Sequence, residues 1–132
     1  MTGSIEALIP AQEQAIRLSP RDPQIGLFYS RIGRAHLLLS RTDEAVVWCE
    51  RARNATPAAA IFRSFLASAY ALRGDIERAT AELAEARRLV GDNRYSTIAA
   101  LQAVEFWGVP EIRALYEATY FAGLRKAGMP EE

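Results

Sequence analysis

The sequence predicts an all-α fold, a solenoid of helical hairpins with about six helices, on three observations. Apolar residues recur at spacings of three and four almost throughout, the period of helices with one buried face. Strict apolar–polar alternation, the mark of a half-buried strand, never persists. Two stretches also repeat at an offset of 34 residues. Asp43-Glu44-Ala45 aligns with Glu77-Arg78-Ala79, Ala52-Arg53 with Ala86-Arg87, Ile32-Gly33 with Leu66-Ala67, and His36 with Tyr70. A unit of that size cannot bury its apolar face alone and must stack on its neighbours.

The elements follow in order. Pro10, at a first helical position, opens a helix through Leu18 with Ala11, Ala15 and Ile16 inward. Ser19-Pro20-Arg21-Asp22-Pro23 stops it, since a residue before proline is pushed out of the α region. This helix reads as the second half of a hairpin. The first full repeat has a helix from about Leu27 to Leu39, a turn at Ser40-Arg41-Thr42, and a second helix to about Ala55. Thr42 is placed to cap that second helix, with Asp43 and Glu44 favourable in its first turn. Thr56-Pro57 closes the unit.

The next repeat runs from about Ala58 to Arg73, turns at Gly74-Asp75, and continues from Ile76 to Val90. Gly74 suits the left-handed position just past a helix end. Ile76, Ala79, Leu83, Ala86 and Val90 make one helical stripe. Gly91-Asp92-Asn93 stops the helix, and a fifth runs from about Tyr95 to Trp107. After Gly108-Val109-Pro110, the last helix reaches about Ala127, with Ile112, Leu115, Tyr116, Thr119 and Leu124 as its apolar face. Its aromatic neighbours, Tyr95, Phe106, Trp107, Tyr116, Tyr120 and Phe121, suit a hairpin that covers an exposed repeat end. The chain thus divides into residues 1–26 (partial hairpin and linker), 27–57 and 58–90 (repeats), and 91–132 (capping hairpin), all one domain.

Composition narrows the function. Sixteen basic residues balance sixteen acidic ones, so no net field draws the chain to nucleic acid or an anionic membrane. Cys49 is the only cysteine, which rules out an intramolecular disulfide and is compatible with a reducing compartment. No apolar run approaches the roughly 20 residues that span a bilayer, and the first residues lack a secretory pattern. The expectation is a cytoplasmic protein.

Between Leu27 and Val90 the pattern resembles the tetratricopeptide (TPR) family residue by residue. Ala45 and Ala79 match its small position within a hairpin, and Ala52 and Ala86 the small position facing the following repeat. Gly33 and Ala67 match the small site of the first helix, Ile32 and Leu66 the large site beside it, and Pro57 the closing proline. Tyr70 and Leu83 fall on packing positions, although the usual aromatic of the second helix is Cys49 in one repeat and Leu83 in the other. Ala15 to Pro23 and Gly123 to Pro130 look like segments of the TPR region that follows bacterial class III nucleotide cyclase domains. Related regions follow some winged-helix regulators.

The resemblance implies a protein-interaction or regulatory module, with a partner segment lying along the first helix of each repeat. Carried over by phase, that groove is lined by Leu27, Ser30, Arg34, Leu37 and Leu38, then Ile61, Ser64, Ser68, Ala71 and Leu72. The lining is apolar and small, with Arg31 and Arg34 near one end, so an apolar helix or extended segment is the expected occupant. The occupant is a separate protein or peptide, or another part of the same parent protein. The alternative is a self-association module with no external ligand.

Chemistry-bearing residues read as structural. His36 is the sole histidine and takes the position of Tyr70, a packing site. Cys49 has no readable base beside it. Asp43-Glu44 fits a helix N-terminus, Glu82-Glu85 a solvated face, and Glu131-Glu132 a solvated tail. No phosphate-loop, dinucleotide or zinc-protease motif occurs. The sequence therefore predicts no enzyme, no cofactor and no metal.

Overall fold

A computed structural model describes residues 2–104 and 107–132. Phe106, expected in the aromatic group, lies outside the described residues. Among those described there are helices and turns and no strand. The helices are α1 Thr2–Leu18, α2 Ile25–Leu38, α3 Thr42–Ala55, α4 Ala60–Leu72, α5 Ile76–Val90 and α6 Ile98–Ala103. The last, α7, joins an α-helical stretch Pro110–Tyr116, a π-helical turn Glu117–Phe121 and a second α-helical stretch Ala122–Lys126. No helix is long and apolar enough to cross a membrane among the described residues.

Helices adjacent in sequence pack side by side: α1 on α2, α2 on α3, α3 on α4, and α4 on α5. Small residues set the crossings. Ala45, Ala79 and Ala86 are fully buried and Ala52 nearly so. Gly33 meets α3 so closely that a Cβ there would stand 2.7 Å from Cys49 Sγ and 3.1 Å from its backbone nitrogen. Ile32, Leu66, Ala67, Tyr70 and Leu83 are buried too, while Pro57 sits exposed in its turn. There its carbonyl accepts from Arg63 Nε at 2.9 Å.

Three helix ends close in one way. The amides of Ser40 and Arg41 donate to the carbonyls of Leu37 and His36. Gly74 and Asp75 do the same to Ala71 and Tyr70, and Gly128 and Met129 to Arg125 and Leu124. This is the paired-bond C-terminal motif that needs a left-handed residue. Gly74 and Gly128 take it at φ 93° and 106°, and Ser40 takes it at φ 61°.

The structure corrects several expectations. Pro10 lies inside α1, because that helix begins eight residues earlier. Ile5 is buried, Ile9, Gln12, Ala15 and Ile16 are half-buried, and Ala11, expected inward, is exposed. Thr42 is the first residue of α3 and does not cap it. Arg41 holds the cap position without a side-chain bond, since Ser40 and Arg41 are committed to ending α2. Ile76, in the first turn of α5, remains 44% exposed. The fifth helix is shorter than expected because Thr97 starts it late, accepting from the Ala100 amide at 3.0 Å. Tyr95 precedes that helix and Trp107 follows it.

α6 borrows the rest of its N-terminal cap from the far end of the chain. The Ile98 amide donates to the Pro130 carbonyl at 2.9 Å and the Ala99 amide to Glu131 at 3.0 Å. Three of the four amides that a helix start leaves unpaired are thereby satisfied. A six-residue helix, marginal by itself, is held by tertiary bonds.

Candidate functional site

The expected groove residues do come together on α2 and α4, and most are covered. Ser30, Leu37, Leu38, Ser64, Ser68 and Ala71 are buried, whereas Leu27, Arg34, Ile61 and Leu72 are half-buried. The cover on α4 is α7. Ser64 Oγ and Tyr120 Oη share a hydrogen bond at 2.8 Å. Ser68 Oγ donates to the Tyr120 carbonyl at 2.9 Å. Phe65 stacks on Tyr120 with centroids 4.1 Å apart. At the crossing Gly123 leaves no space: a Cβ on it would fall 2.1 Å from Ser68 Oγ and 2.6 Å from the Ser68 carbonyl.

Sequence phase alone picked out Ser64 and Ser68 as lining residues but not their occupant. The missed signal is Gly123, a glycine inside a helix opposite two serines. That is the composition of a close backbone approach. The π-turn helps, since such turns re-aim a helix face. Tyr116, Thr119, Tyr120, Phe121, Gly123 and Leu124 are all buried, more than one regular stripe would place inward. Trp107 closes this end, 7% exposed, against Phe121, Tyr116 and Tyr120 at 5.2, 5.1 and 5.8 Å between centroids. Tyr95 is buried nearby, and both line a small void with Tyr120.

The α2 half stays open. A cavity of about 610 Å³ lies between α1, α2 and α7, walled by Ser4, Ile5, Leu8 and Gln12, by Arg31, Arg34, Ala35 and Leu38, and by Ile112 and Tyr116. The guanidinium of Arg34 sits 4.3 Å from the Phe65 ring centroid. Its buried Nε has no hydrogen-bond partner, and neither has the buried Oε1 of Gln12.

Cys49, His36 and Glu82 are buried. Burial pushes the Cys49 thiol up to about 12, far from the range of a reactive thiolate. His36 is held below its ordinary 6.5, first by burial and next by the Arg41 charge, with Glu44 and Glu13 opposing. Glu82 corrects the expected solvated face: it is 8% exposed. Its carboxylate accepts from Arg53 at 3.0 Å and from Arg63 at 3.1 Å. It shares the inward side of α5 with Ala79, Leu83 and Ala86, so it needs partners there, and α3 and α4 supply them. Glu85 is half-buried and pairs with Arg88 one turn on. Among the described residues no group of three or more His, Cys, Asp or Glu is placed to hold a metal.

No family model, curated protein or solved structure matches the chain.

Proposed function

We propose that this chain is a TPR-like helical-repeat module without enzymatic activity. It binds a partner polypeptide, an apolar helix, on the faces of α2 and α4. The observation that carries this reading is the contact of α7 with α4, because a helix already rests there at backbone distance. Small side chains with hydroxyls (Ser64, Ser68), flanked by Phe65, form a receptor for a helix bearing a glycine and aromatics. In this reading α7 is the internal occupant that a partner helix replaces, which suits a regulatory module in the cytoplasm. The tail of a nucleotide cyclase or a transcriptional regulator is the context that its sequence suggests.

The test uses the full chain carrying Gly123→Val and a labelled peptide of residues 110–132. The added isopropyl group must lift α7 from Ser68 and free the face. The peptide should bind the variant at least about tenfold more tightly than it binds the parent. Equal or absent binding, with helicity retained by circular dichroism, rejects the receptor face. Self-association instead predicts a concentration-dependent dimer of the unaltered chain in sedimentation.

A further inference from the structure

The cavity between α1, α2 and α7 is built differently from the α4 face. It is an open cleft whose volume of about 610 Å³ is enough to seat a small molecule. Most of its wall is apolar: Ile5, Leu8, Leu38, Ile112 and Tyr116. Two cations stand at one side, Arg31 and Arg34, three residues apart on α2 and so on one helix face. No carboxylate lines the cavity among the described residues, and no ion pair to either arginine is formed among them.

Arg34 is the informative residue. Its guanidinium lies over the Phe65 ring, 4.3 Å from the centroid, which anchors it beside the cavity, and its Nε is buried without an acceptor. Arg34 is half-buried and has no ion-pair partner among the described residues, and a planar guanidinium is matched best by a carboxylate. Gln12 adds a buried acceptor, Oε1, that lacks a donor. The two guanidinium groups, set in a mostly apolar wall, are the polar contacts that would orient a ligand.

We propose that this cavity binds a small amphiphilic acid, its carboxylate held by Arg34 with Arg31 beside it. The aliphatic or aromatic body lies against Ile5, Leu8, Leu38 and Tyr116. The site does not depend on the helix-binding role of α4. Because α7 supplies Ile112 and Tyr116, an occupied cavity also fastens α7 in place.

Titration calorimetry of the full chain with decanoate, decanol and decyl phosphate tests this. Decanoate should bind one to one and raise the thermal midpoint, and decanol should do neither. Arg34→Gln should weaken decanoate by about ten- to a hundred-fold. Leu8→Trp, at the exposed rim, should block it by filling the chamber while leaving Arg34 untouched. Equal binding of decanol, undiminished binding by both variants, or no binding to the parent overturns the site. Tighter binding of decyl phosphate overturns the carboxylate assignment.

Discussion

His36 shows how little a single residue type says without its surroundings. As the sole histidine it invites a role in metal binding or proton transfer, yet it is buried in α2 with its Nδ1 unpartnered. Burial and the neighbouring Arg41 depress its pKa below 6.5. The unfolded chain therefore takes up a proton near 6.5, and the folded chain does so only at lower pH. That contribution to stability is complete above the unfolded value and is lost as pH falls through it. Between about pH 7.5 and 5.5, the thermal midpoint of the parent should fall more steeply than that of His36→Gln. Parallel melting curves over this window would show that His36 is not the group responsible. Glu82 teaches the same lesson in reverse: its spacing on α5 suggested a wet face, and only the fold brings Arg53 and Arg63 to it.

At the scale of the element, the repeat offset carries further than side-chain identity. Ser40 and Gly74 are 34 residues apart and do the same backbone work, but one has a side chain at φ 61° and the other has none. A left-handed conformation costs a side-chain-bearing residue about 1–2 kcal/mol, and glycine returns roughly half of that through its greater freedom when unfolded. Ser40→Gly should stabilise the protein by about 0.5–1 kcal/mol, read from chemical denaturation with the slope unchanged. A neutral or destabilising result would mean that the serine hydroxyl contributes bonds of its own there. This also marks what the sequence made legible. Helices α2 to α5 and their small crossing residues follow from local periodicity, and their ends fall within a few residues of expectation. The starts of α1 and α6 do not. Proline in α1 and a cap made of distant carbonyls at α6 have no local signature that outweighs Pro10 or the apolar run after Tyr95.

At the scale of the whole molecule, contacts between neighbours explain α1 to α5, while the return of α7 to α4 joins residues more than 50 positions apart. Pairings of that separation leave no trace in hydrophobic period, which is why the expected groove could be traced by phase while its occupant could not. The return is locked twice, by Gly123 on Ser68 and by the carbonyls of Pro130 and Glu131 over the start of α6. The second lock is the weaker, since it rests on two hydrogen bonds worth about 1 kcal/mol each and on the surface pair of Arg125 with Glu131. Removing residues 130–132 should therefore cost about 1–2 kcal/mol. Its effect should be local: faster amide exchange at Ile98 and Ala99, with α2 to α5 still protected. If exchange instead rose evenly through α4 and α5, the tail would be a keystone of the entire helical array, and α7 could not serve as a replaceable occupant of the α4 face.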